Sequence, residues 1–136
     1  MMSSVNPMVR KGWIELATER YSWCGLLTAE PVNFSAVSEA EGGSRLKVTW
    51  DIIESSSLRR NSNPLIFDKL EWGQRVSHVG LFSEQEGGVL GFWGSLIQPT
   101  VIERGTLSVE DEIDDYTRLG VGTFKLDALD IGIRVE

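Results

Sequence analysis

The sequence predicts an all-β fold: an antiparallel β-sandwich of about eight strands with a short N-terminal helix. Three observations lead there. Short apolar runs recur between residues 21 and 136, separated by clusters of Gly, Pro, Asn and Ser. Several of these runs alternate apolar and polar residues with a period of two. One segment alone has helical spacing, and nothing reads as a strand–helix–strand unit or an internal repeat.

The helix is expected over residues 7–20, PMVRKGWIELATER. Val9, Trp13, Ile14 and Ala17 recur at helical spacing, with Leu16 beside them. Asn6 is placed to cap it, with Pro7 in the first turn. Gly12 weakens it by about 1 kcal/mol relative to alanine. Strands follow. SWCGLLT (22–28) is a compact apolar run stopped by AEPVN. SEAEGGS (38–44) is a polar, Gly-rich loop. In RLKVTWDII (45–53), Leu46, Val48, Trp50 and Ile52 face one way and Lys47, Thr49 and Asp51 the other, as in a half-buried strand. ESSSLRRNSNP (54–64) reads as a polar loop, and LIFDKL (65–70) as a short strand.

QRVSHVGLF (74–82) and VLGFWGSLI (89–97) flank SEQEGG and form a hairpin turning on Gly87 and Gly88. In the first of these strands Val76, His78, Gly80 and Phe82 are expected on one face, and Ser77, Val79 and Leu81 on the other. Pro99 breaks the ladder and belongs at an edge or bend. In TFKLDALDIGIRVE (123–136) the alternation changes phase at Ala128, the mark of a bulge or corner. The expected core comprises Leu26, Val48, Trp50, Phe67, Val79, Leu81, Leu90, Phe92, Leu129, Ile131 and Ile133. Residues 1–20 form an arm and the short helix. Residues 21–136 form the β-domain, with an acidic stretch at 103–120.

Composition narrows the function. The 136 residues suffice for one domain with its own core. Thirteen basic residues against twenty acidic ones give a net charge of −7. That charge disfavours nucleic-acid binding, which needs a dense cationic surface. Cys24 is the only cysteine, so no intrachain disulfide and no cysteine-rich zinc site is expected; it reads as a small buried hydrophobe. The N-terminus has no secretory h-region, and no apolar run is long enough to span a membrane. The expectation is a protein made in a cytoplasm, with no membrane partner.

The candidates for chemistry are few. His78 is the only histidine. Nucleophilic catalysis would need an activated serine or cysteine beside it, and no GxSxG is present. It reads instead as a strand residue bonded to a neighbouring backbone group or acid. EDEIDD (110–115) holds five acids in six residues but lacks the spacing of a calcium loop. It reads as an acidic loop facing solvent or a basic partner. No pair of acids is singled out for glycoside hydrolysis. GTLS (105–108) and GVGTF (120–124) lack the lysine of a phosphate loop. No catalytic residue, metal ligand or cofactor is assigned. The five tryptophans are expected mainly as core and near-core bulk, with Trp72, beside Gly73 at a strand entrance, the exception or corner post.

Three motifs carry a family resemblance. WCGLLTAEP (23–31), with Trp23, Thr28 and Pro31, is similar to an early strand of the form aromatic-x-G/A-L-H-T-A-D-P. WGQRVSHVGLFSEQEGGVLGFWGSLIQP (72–99) is similar to W-G-x-V-T-H-V-G-L-F, a Gly-Gly turn, and a strand ending G-x-L-x-x-P. It contains Trp72, Gly73, His78, Gly80, Phe82, Gly87, Gly88, Gly94 and Pro99. VGTFKLDALDIGIRV (121–135) is similar to a closing G-D-T-F-x-I-P-A-G-x-L-x-V-x-L. Together, in this order, they resemble a family of small bacteriophage virion proteins labelled tail-fibre-like, found among siphovirus structural proteins. The chain departs from the pattern at Leu27, where the family often has histidine, and at Glu30, where it has aspartate. It departs again at Val121-Gly122, and residues 103–120 look inserted. A site built on that histidine is lost here.

The resemblance implies a β-sandwich that is a structural part of a tailed phage particle, without catalysis. Within that class the favoured expectation is a small capsid cement or decoration subunit. It would bind the major capsid protein, act as an oligomer and localise to the virion. The chain is short and lacks a coiled or collagen-like shaft. Its arm and helix, with Arg10 and Trp13, and its acidic residues Glu110, Asp111, Glu112, Asp114 and Asp115 are the candidate contacts. The alternative is a tail component, either a tube decoration or a fibre-like adhesion module that contacts other tail proteins. A third class, an envelope-degrading enzyme, has no motif behind it.

Overall fold

The structure is a computed structural model and describes residues 7–34, 36–52, 58–103, 121–127 and 130–134. The fold is all-β and antiparallel, with the helix at its N-terminal end. Helix α1 (Pro7–Arg20) begins at Pro7, which has no N–H to waste in the first turn. Among the described residues nine strands follow: β1 (Trp23–Leu27), β2 (Leu46–Lys47), β3 (Trp50–Ile52), β4 (Leu58–Asn61), β5 (Leu65–Glu71), β6 (Arg75–Phe82), β7 (Leu90–Val101), β8 (Val121–Leu126) and β9 (Gly132–Arg134). They form a four-stranded sheet in the order β2-β1-β6-β7, a three-stranded sheet β3-β4-β9 and a two-stranded sheet β5-β8.

Two runs expected as continuous strands divide between sheets. Residues 45–53 pass from β2 to β3, and Val48 and Thr49 carry the chain across. Alternation survives the crossing, with Val48 buried and Lys47, Thr49 and Asp51 exposed, because a corner can turn a strand without rotating its inward face. The expected phase change falls at Ala128, which lies outside the described residues. β8 ends at Leu126, the backbone N–H of Asp127 donates to Asp130 Oδ2 (2.8 Å), and the chain restarts as β9 in another sheet.

Residues 54–64 correct the expectation of a polar loop. Leu58–Asn61 is β4, the middle strand of its sheet, paired antiparallel with β3 and β9. Two of its polar side chains, Arg59 and Asn61, are buried, while Arg60 between them is exposed. Arg59, 2 % exposed, lies 3.8 Å from Glu15 of α1. Asn61, fully buried, uses its whole amide: Nδ2 donates to the carbonyls of Asn63 (2.8 Å) and Asp127 (3.0 Å), and Oδ1 accepts from Ile131 N–H (2.8 Å). A satisfied amide can replace an apolar residue in a core.

One core joins the elements. Ile14 of α1 belongs to one buried cluster with Cys24 and Leu26 of β1, Leu65, Phe67 and Leu70 of β5, Val76 and Leu81 of β6, Leu126 of β8, and Ala40, Val48 and Ile102. Of the expected core, Leu26, Val48, Phe67, Leu81 and Leu90 are buried. Trp50, Val79, Phe92 and Ile131 are only half-buried. Leu129 and the side chain of Ile133 lie outside the described residues. Most tryptophans lie beside the core, as expected, with Trp72 the expected exception and Trp13 the departure. Trp23, Trp50 and Trp93 are half-buried, while Trp13 and Trp72 are 47 % and 54 % exposed. Smaller aliphatic side chains fill the interior, and the indoles lie around its margins.

Candidate functional site

The first two motifs of the resemblance fold onto adjacent strands. β1 is the partner of β6 through five consecutive pairs, from Trp23↔Phe82 to Leu27↔His78, and β6 is the partner of β7. The β6–β7 turn is the expected hairpin. Gly87 and Gly88 take φ of 69° and 68°, a region that costs L side chains energy, and Ser83 closes the loop by accepting from Val89 N–H (2.9 Å) at Oγ. Gly73 (φ 90°) makes the tight turn between β5 and β6, and Trp72 beside it is exposed.

Pro99 lies in β7, the outer strand of its sheet, within a wide bulge. β6 advances from Val76 to His78 while β7 advances from Thr100 to Ser95. Leu96, Ile97, Gln98 and Pro99 therefore loop out of the ladder, where a missing N–H is tolerated. The same irregularity breaks the expected alternation in β6. Val76 joins the main core with Leu81, whereas Phe82 belongs to a second cluster with Leu27 and Leu90. His78 stands in mid-strand opposite Leu27 and Ser95. Its Nδ1 is 2.7 Å from Ser77 Oγ, and its ring meets Trp93 edge-on at 5.6 Å. Its partners are thus a hydroxyl and an indole, not the backbone group or acid expected.

The outer face of this sheet holds a feature that the sequence reading missed. Gly25 and Gly80 are cross-strand partners, and a Cβ on either would stand 3.0 Å from the Phe82 ring. The two bare backbones leave a trough in which Phe82 lies flat. Arg45 stacks over that ring at 3.5 Å and is 8 % exposed. Its Nε and Nη2 donate to the two oxygens of Glu39 (2.8 and 2.9 Å), and its Nη1 donates to the carbonyls of Glu84 (2.9 Å) and Gly87 (2.6 Å). One planar guanidinium thus binds the 39–45 loop to the β6–β7 turn, a task suited to a rigid fork of donors. The only sequence signal was one arginine at the start of an alternating run, which says nothing of a partner 39 residues away.

The other motif positions are structural anchors too. Trp23 packs beside this second cluster, with Lys47 Nζ 5.1 Å from its ring centre. Thr28 N–H donates to the Ser38 carbonyl (2.9 Å), and Pro31 is buried where the chain leaves the sheet. Cys24 is fully buried, and burial pushes its thiol up to about 12.

A cleft of about 350 Å³ opens between β6–β7 and the chain leading into β9. Val79, Leu81, Phe92, Leu96, Leu126 and Ile131 give it apolar walls, and Asp130 also lines it. Of the expected contact residues, Arg10 and Trp13 both lie on α1, where Trp13 and Leu16 are exposed while Ile14 and Thr18 are buried. Glu110, Asp111, Glu112, Asp114 and Asp115 lie outside the described residues. No helix is long and apolar enough to cross a membrane among the described residues. The chain matches no protein-family model, and no curated protein shows a significant match to it.

Proposed function

We propose that this chain is a structural protein of a tailed bacteriophage particle, a small subunit that binds and stabilises the major capsid lattice without catalysis. One observation supports it above the others. Two of the motifs that resemble the phage virion family form the adjacent strands β1, β6 and β7, and the third, in β8 and β9 of the other two sheets, joins the same core through Leu126. Their conspicuous residues hold turns, a bulge and a close-packed trough, as expected of a scaffold whose surface meets other proteins. Exposed Trp13 and Leu16 on α1 offer apolar contact area for such a neighbour. The family label favours a second reading, a tail-tube decoration or fibre-like adhesion module.

Imaging purified virions with this protein labelled separates the readings. Label spread over the head supports the cement role, and label confined to the tail moves the protein to the second reading. Particles without label would remove both. Release of fragments from host envelope material by the pure protein, abolished by mutating a single acid, would replace them with a hydrolase. Removing residues 1–12 tests the arm: weaker attachment with the β-fold intact is expected, and full occupancy on particles would count against it.

A further inference from the structure

Among the described residues β7 is the outer strand of the four-stranded sheet, with β6 on one side. Its 12 residues, LGFWGSLIQPTV, carry no charged side chain, in a chain of net charge −7. Free edges are usually guarded by lysine, proline or bulges. Here the guards stand at the two ends. Gly91 is an extra residue between the pairs Phe82↔Leu90 and Leu81↔Phe92, and the wide bulge follows Ser95. Between them Phe92, Trp93, Gly94 and Ser95 pair in unbroken register with Leu81, Gly80, Val79 and His78. The cleft opens beside this stretch. A Cβ added at Gly94 would meet nothing within 4 Å, although Phe92 and Leu96 border the same space.

We propose that β7 is a homodimer interface, in which two copies pair this edge antiparallel across a twofold axis at Trp93. Adding a strand to a free edge satisfies its outward N–H and C=O groups, and a twofold contact uses the same patch on both chains. In this register Trp93 meets Trp93 of the second copy, and Phe92 of each chain lies opposite Gly94 of the other. Directly opposed residues in an antiparallel pair share a face. Each Phe92 ring therefore reaches the space left by the other chain's Gly94, at the mouth of its cleft. The occupant is a second copy for two reasons. The run Phe-Trp-Gly is self-complementary about its centre, a large side chain facing a missing one. An uncharged strand also lets two acidic chains meet without opposing carboxylates. The pairing rests on the sheet edge alone and is independent of any role in a virion.

Sedimentation across a concentration series tests it on the full chain. The wild type should shift from one chain to two as concentration rises. Gly94→Glu places a carboxylate against Phe92 of the other copy, and Ser95→Lys puts an edge lysine in the pairing stretch. Both should remain single chains, with the circular dichroism and melting of the dilute wild type. Ile97→Lys, on the bulge outside the paired stretch, should still dimerise. A wild type that stays a single chain throughout would overturn the proposal and leave the edge to another protein's strand. So would a dimer that survives both Gly94→Glu and Ser95→Lys, or one lost in Ile97→Lys.

Discussion

The four-stranded sheet packs apolar side chains on both faces, but it closes the two faces by different means. On the outer face the trough over Gly25 and Gly80 is filled by Phe82 and sealed by Arg45, which is itself held by Glu39 and two carbonyls of the β6–β7 turn. On the inner face most of the sheet is covered by the main core, but beside β7 the covering stops and the cleft begins. The closed face depends on charge and hydrogen-bond geometry, and a loss there cannot be repaired by shifting a methyl group. The open face is apolar and loosely bounded, and it tolerates added bulk. Close packing and paired polar groups make a site intolerant of change, whereas unfilled space marks where a molecule can accept something more.

Substitutions should separate the faces by size of effect. Arg45→Ala strips Glu39 and two carbonyls of their donor at once. It should cost about 2 kcal/mol in denaturant unfolding, the scale for losing hydrogen bonds to a charged group, since Glu39 stays partly exposed. Arg45→Lys should recover only part of that, since an ammonium cannot span both oxygens of Glu39 in a fork. An equal recovery would mean that charge alone holds the trough. Asn61→Ala removes three side-chain hydrogen bonds, to Asn63, Asp127 and Ile131, and should cost about 2 to 3 kcal/mol by the same measurement. Gly80→Val should cost about 1 to 3 kcal/mol, because a Cβ there already stands 2.8 Å from Leu90 Cδ1 and 3.0 Å from Phe82 Cε2. Gly94→Ala, the matched change on the open face, should alter the stability of the single chain by no more than about 0.5 kcal/mol. A comparable loss at both glycines would erase the distinction between the faces.

Cys24 gives a further test through pH. Its folded thiol is raised to about 12 from an ordinary 9.0, so the folded chain keeps a proton that the unfolded chain releases. Stability should therefore be undiminished by this group below pH 9.0 and fall as pH rises from there toward about 12. Cys24→Ala should remove that part of the alkaline loss. In the native protein at neutral pH the thiol should resist alkylating reagents, and reaction as fast as in denaturant would contradict its burial.

Much of the fold was legible because alternation and turn chemistry are local. The β6–β7 hairpin could be read from two apolar runs around Gly87 and Gly88. The break between β8 and β9 showed as a slipped phase, and the helix showed in its spacing and in Pro7. β4 was not legible, since composition marks Leu58–Asn61 as loop and only the partners Glu15, Asp127 and Ile131 allow Arg59 and Asn61 inside. Trp13 misled for a related reason. Large apolar area predicts a tendency to bury, but whether an indole reaches the centre depends on how much room the smaller side chains leave.

The sequence by itself determined the strand-rich antiparallel class, the place of the helix, the hairpin and its turn residues, because backbone preference and side-chain period act over a few neighbours. Tertiary structure alone decided which strands share a sheet, that Arg45 would seal the outer face, that β4 would be central, and that the inner face would stay open at Gly94. Each of these depends on groups brought together from distant parts of the chain, and no local pattern records whether a charge will meet its partner or a cavity its filling.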